Sequence, residues 1–159
     1  MKKVIVSVII IGLCSMFCEV STGTENIPEF IRTPEDLTRW LASEFQYRLE
    51  LPDKWQSPEE TINLRKGDCE DFAILVSEVL SRQGISSDIL ILKFKGLKAS
   101  HAICIWQEKD GTYSFTTNRK LCRTGALEVT SAVEKFYPDW EKIIYTDRTK
   151  KHLRVVKRT

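Results

Sequence analysis

The sequence predicts an α+β domain in which N-terminal helices, one of them carrying a cysteine, pack on an antiparallel β-sheet. Three observations lead there. Two capped helix starts open the first half, at Thr33-Pro34-Glu35-Asp36 and Ser57-Pro58-Glu59-Glu60. The stretch from Phe72 to Leu80 is nearly all apolar, as in a helix buried on most sides. Beyond Gly84 the pattern changes to β-rich runs, with Asp110-Gly111 marking a hairpin turn. Strand 88–94 and the hairpin 100–107/112–118 are expected to form the core of a sheet of three to five strands.

Taken in order, Met1 to about Gly23 stands apart from the fold. Lys2 and Lys3 precede an apolar run, Val4 to Leu13, that is short for the ~20 residues a membrane-spanning helix needs but suits a signal-peptide core. Ser21-Thr22-Gly23 offers small residues for cleavage. Cys14 and Cys18 raise lipidation, although Leu13 and Phe17 stand before them where a lipid-attachment site wants a small residue. Residues 1–23 are therefore expected to be a signal peptide or N-terminal membrane anchor, and the chain to be exported: periplasmic, secreted or membrane-anchored. Residues 24–32 read as a linker.

The domain proper is expected over 33–146. Leu37, Trp40, Leu41 and Phe45 follow the Thr33 cap at helical spacing and belong to the core. The Ser57 cap opens a short helix to about Leu64, where Glu59 and Glu60 complement the helix dipole. Arg65 and Lys66 read as solvated loop charges. Ser87 to Phe94 is a central strand, Ser100 to Trp106 and Thr112 to Asn118 a hairpin, and Arg119 to Gly125 a polar connection. A short helix within Ala126–Phe136 ends at Tyr137-Pro138-Asp139, and Trp140 to Tyr145 is a last strand. Residues 147–159 hold six Lys or Arg against one Asp and read as a basic tail, with a strand-like Leu153–Val156 inside it.

Chemistry is concentrated at Lys66-Gly67-Asp68-Cys69-Glu70-Asp71. Asp68 suits an N-cap and Asp71 the returning position of a capping box, so Cys69 falls in the first turn of the apolar helix. The unpaired N–H groups and dipole at that end favour a thiolate. His101 opens one hairpin strand and Asn118 closes the other, so the two ends lie side by side. Alternation places His101, Ile103 and Ile105 on one face and Ala102, Cys104 and Trp106 on the other, which turns Cys104 away from the imidazole. Asn118 shares a face with Ser114 and Thr116, which makes it the partner for His101 unless a bulge substitutes Thr117. The order Cys69, His101, Asn118 is that of a thiol triad: nucleophile, base and orienting group.

The Gly67–Ala73 segment, the upstream Trp55–Thr61 stretch and Ser100-His101-Ala102 resemble the bacterial transglutaminase-like (papain-like thiol) superfamily, over about Thr33 to Asn118. The resemblance implies a papain-like, transglutaminase-like core. Most members carry Asp at the third triad position, where this chain offers Asn118 with Thr117 beside it; papain-like proteases use Asn there. It also implies that Gln56, with the backbone N–H of Cys69, binds the oxyanion. Substrates would be peptides or proteins, including peptidoglycan-type amides.

Other chemistries are poorly supported. Without residues 1–23 three cysteines remain, Cys69, Cys104 and Cys122, and a Cys104–Cys122 bridge is one conceivable pairing. The two histidines, His101 and His152, are far apart in sequence and no C-x-x-C occurs, so no metal site is expected. No dinucleotide or phosphate-cradling glycine motif is present, and no cofactor is expected. The net charge of +2 does not by itself point to nucleic acid, and no nucleic-acid partner is expected. The function expected is that of an exported thiol-dependent amide hydrolase or acyl transferase, with a catalytically silent binding module or a structural envelope protein as the alternatives.

Overall fold

The structure is a computed structural model that describes residues 27–49, 52 and 54–158. The expected signal peptide or anchor lies outside the described residues. Among those described, no helix is long and apolar enough to cross a membrane.

Helix α1 (Pro34–Glu44) starts as expected, with Thr33 and Asp36 forming a capping box around Pro34. Leu37, Trp40 and Leu41 turn its apolar stripe inward, and Phe45 follows them into the core. A two-residue strand β1 (Gln46–Tyr47) pairs in parallel with β2 (Lys66–Gly67). Between them, α2 (Pro58–Leu64) begins with the Ser57–Glu60 capping box. Arg65 ends α2 in a left-handed conformation at φ 52°. Its guanidinium lies 5.4 Å from the Trp40 ring and 5.0 Å from that of Phe45, so this charge is held by aromatic faces rather than by water alone.

Helix α3 (Cys69–Arg82) is the centre of the molecule, with Phe72 to Val76, Val79 and Leu80 all buried. Gly84 follows it at φ +74°, a conformation suited to glycine after a helix. The sheet then forms from β3 (Ser87–Phe94), β4 (Ser100–Gln107), β5 (Tyr113–Thr117), β6 (Lys120–Ala126), β7 (Trp140–Thr146) and β8 (His152–Lys157), in the order β6-β5-β4-β3-β7-β8 and antiparallel throughout. Helix α4 (Val129–Phe136) lies between β6 and β7 in the chain.

Two apolar layers cover the sheet. On one face, Ile89, Ala102, Cys104 and Trp106 meet α1 and α3. On the other, Leu90, Leu92, Ile103, Ile105 and Phe115 meet Ala132 and Val133 of α4. Strand alternation thus buries both sides of β3 and β4, which explains why Ile89–Leu92 reads as an unbroken apolar run.

Six strands form where three to five were expected. The polar connection 119–125 is in fact β6, joined to β5 by a tight turn in which Asn118 takes φ 50°. Its polar side chains conceal an edge strand. The basic segment 147–159 supplies β8, paired along β7, so the sheet runs past residue 146. Exposed Lys and Arg on such an edge discourage pairing with other chains.

Candidate active site

Cys69 occupies the first position of α3 because Asp71 fixes the turn before it. The Asp71 carboxylate is fully buried. Its Oδ2 accepts from the Asp68 backbone N–H at 3.0 Å, and its Oδ1 from the Gln56 backbone N–H at 2.7 Å. One carboxylate thereby ties the entry of α3 to the segment before α2. Gly67 is required for the fit: a Cβ there would stand 2.8 Å from the Asp71 Cβ.

The thiol lies against β4, where the Ala102 backbone N–H donates to Sγ. It donates in turn to Glu70 Oε2 at 3.1 Å. Burial, together with the Glu70 and Asp68 carboxylates, pushes the Cys69 thiol up to about 12. The thiolate expected from the helix terminus is therefore not the resting form, since desolvation and two adjacent acids outweigh the dipole and the Ala102 amide. The thiol's hydrogen bond goes to Glu70 and not to the imidazole.

His101 is half-buried on β4, one residue before the amide that meets the sulfur. Its Nε2 lies 2.7 Å from Thr117 Oγ1. Burial alone lowers its pKa from the usual 6.5, which favours neutral imidazole. Tyr137 donates its hydroxyl to the same Thr117 oxygen at 2.8 Å and tilts against the imidazole, ring centres 5.6 Å apart. Thr117 Oγ1 has two lone pairs and accepts from both Tyr137 and His101 Nε2–H in one tautomer, which leaves Nδ1 as the basic nitrogen.

The hydrogen-bond partner of the imidazole Nε2 is Thr117 and not the expected third residue, Asn118. Ile103 pairs with Thr117 and Ile105 with Phe115, so Thr117 shares the His101 face without a bulge between these strands. The turn with Gly111 at φ +86°, closed by Glu108 N–H to Thr112 O at 2.7 Å, sets this register. Asn118 instead makes the turn after β5, with its Oδ1 buried and lacking a hydrogen-bond partner among the described residues. Gln56 is buried, as a residue held beside the α3 entry should be. Cys104 is buried under α3, and Cys122 pairs across from Phe115 on the opposite sheet face. Both are free thiols, so the conceivable Cys104–Cys122 bridge is not formed.

Beside Cys69 opens a cavity of about 260 Å³ on the α3 face of the sheet, lined by Trp55, Ile91, Lys93, Ile144 and Lys150 among others. Tyr137, Glu70 and these lysines were not singled out as site residues from the sequence. Glu70 is adjacent to the thiol and was recoverable as its neighbour; Tyr137 and the lysines reach the site only through tertiary packing.

A thiol at a helix N-terminus, set against a strand whose first residues include a histidine, defines a transglutaminase-like α+β fold. The comparisons agree: the chain belongs to the transglutaminase-like domain family, whose model matches residues 21–121. Legionella pneumophila LapG has a similar fold in two solved structures. The calcium-bound form is 20% identical with a TM-score of 0.51, over 70% of this chain and 63% of that one. The EGTA-treated form is 19% identical with a TM-score of 0.50, over 74% and 68%. No curated protein matches.

Proposed function

We propose that the chain is an exported thiol-dependent amide hydrolase or acyl transferase acting on peptides or proteins, with Cys69 as nucleophile and His101 as base. The observation that carries this reading is the seating of the Cys69 sulfur on the Ala102 amide, next in sequence to a neutral imidazole oriented through Nε2. On substrate binding the thiol turns from Glu70 and gives its proton to His101 Nδ1. The sulfur attacks the amide carbonyl, forming an S–C bond, and the carbonyl oxygen becomes an oxyanion held by the Cys69 backbone N–H and Gln56. The imidazolium returns the proton to the leaving amine as the C–N bond breaks. Water then resolves the thioester to an acid, or an incoming amine resolves it to a new amide. Thr117, rather than Asn118, is the orienting residue in this scheme. Residues 1–23 supply export and any membrane association.

Turnover of a peptide-amide library by the purified protein tests the reading. Cys69→Ser should abolish it and His101→Ala nearly so. Equal turnover by Cys69→Ser and wild type would refute it and leave the binding or envelope role.

One of the two similar LapG structures is calcium-bound. In this chain the ligand atoms of Asp68, Cys69 and Glu70 lie within 4.8 Å of one another, and the two carboxylates are donors suited to a hard cation. Asp68 and Glu70 would hold such an ion, which would offset negative charge beside the thiol. Calcium should then raise the thermal midpoint of wild type, and Asp68→Asn with Glu70→Gln should remove the increment; a midpoint indifferent to calcium would dismiss the ion.

A further inference from the structure

We propose that the cavity beside Cys69 takes a carboxylate group of the substrate, with Lys93 and Lys150 as its counter-charges; this deepens the reading of Cys69 as the attacking thiol. The cavity, at about 260 Å³, has room for a residue-sized group, somewhat below the ~300 Å³ where drug-sized sites begin. Its walls are Ile91, Ile144 and Trp55, and its polar groups are mostly basic: Lys93, Lys150 and His152, with Glu70 at the thiol end. Such an arrangement suits a short apolar stem ending in an anion.

Two features show that the positive charge is built in. Lys93 pairs directly with Lys142 across β3 and β7, which puts two ammonium groups on one sheet face. Like charges directly opposite destabilise a sheet, and neither lysine has an ion-pair partner among the described residues. An anion between them and the thiol would relieve that repulsion. Lys150, in turn, is carried to the cavity by a fixed turn. Asp147 Oδ1 accepts from the backbone N–H of Thr149 at 2.8 Å and of Lys151 at 3.0 Å, and Arg148 pairs with Glu78 of α3. The Lys150 Nζ then rests 4.7 Å from the Trp55 ring centre, in a left-handed backbone conformation at φ 67°. Among the groups facing the cavity Glu70 is the acid, and its Oε2 is the acceptor of the Cys69 thiol.

A carboxylate reaches this cavity either from an Asp or Glu side chain or from a free C-terminus. The primary test does not need turnover. The rates at which iodoacetate and iodoacetamide alkylate Cys69 are compared by mass spectrometry, with chelator present throughout. The anion-to-neutral rate ratio should fall about threefold or more in a Lys93→Met/Lys150→Met variant. It should fall likewise in wild type as salt is raised, a measurement that needs no variant to fold. A ratio indifferent to both changes overturns the proposal. Matched fluorogenic peptides then separate the sources. Faster cleavage of Glu than Gln peptides assigns a side chain, and of free-acid than amide termini assigns a C-terminus. Cleavage blind to both overturns the carboxylate preference. A lysine-dependent alkylation ratio with no peptide turned over would sink the hydrolase reading while the anion cavity stands.

Discussion

Replacing Asp71 by asparagine should loosen the whole site through two backbone amides. Its carboxylate accepts from the Gln56 and Asp68 N–H groups, at 2.7 and 3.0 Å, in a fully buried position. Asparagine keeps the shape but offers one oxygen, so its NH2 group confronts one of the two donors. A hydrogen bond to a charged group contributes about 1.5–3 kcal/mol, and a buried donor left unpaired adds its own desolvation cost. Relief from burying a carboxylate offsets part of this. A net loss of about 2–3 kcal/mol is expected for Asp71→Asn, and about 3–5 kcal/mol for Asp71→Ala, which also opens a void. Equilibrium unfolding in urea measures both, read from the midpoint at constant slope. The order matters as much as the size. Asp71→Asn within about 0.5 kcal/mol of wild type would refute the view that this carboxylate holds the two segments together.

Four further outcomes are expected. Thr117→Val should cut turnover about tenfold or more by freeing the imidazole, while Thr117→Asp should move the acid limb of the pH–rate profile upward, because a carboxylate against Nε2 favours imidazolium. An unchanged profile in both would remove Thr117 from the site. Asn118→Gly should keep near-wild-type turnover and stability within about 1 kcal/mol, since glycine adopts the φ 50° turn readily; a loss like that of Thr117→Val would restore Asn118 as orienting residue. Glu70→Gln should speed alkylation of Cys69 by iodoacetamide several-fold at neutral pH, because the Glu70 charge and hydrogen bond raise the thiol pKa; a slower reaction would contradict that assignment. His101 is held below 6.5 by burial, so its contribution to stability is full above that pH and is lost as pH falls through its lowered folded value. Urea midpoints of wild type should therefore drop more steeply on acidification than those of His101→Gln, and parallel curves would speak against a buried neutral imidazole.

Much of this was legible in the chain. Helix starts were readable because Thr33, Ser57 and Asp71 act on amides within three residues, so the signal and its effect are local. The positions of Cys69 and His101 on their elements followed from the same locality. Register was not legible. Choosing between Asn118 and Thr117 required a one-residue decision about a hairpin whose turn geometry, set by Glu108–Thr112, the sequence leaves open. The protonated thiol was missed because dipole and charge are visible in a sequence, whereas burial, which dominates here, is a property of the packed sheet. Strand β6 was hidden by its polar, edge position.

The sheet separates two properties that thiol enzymes must set together. In the proposed reading, what the cleft admits is decided on the α3 face, by Lys93, Lys150 and Trp55. How basic the imidazole is gets decided from the reverse face, where Thr117 and Tyr137 meet it beside α4. Substitutions around Tyr137 can therefore retune the working pH without redrawing the menu of substrates, and changes to the lysines can alter the menu without moving the pH. In that reading the chain has two separate dials, and a laboratory selection for acid tolerance should accumulate its changes around Tyr137 rather than around the lysines.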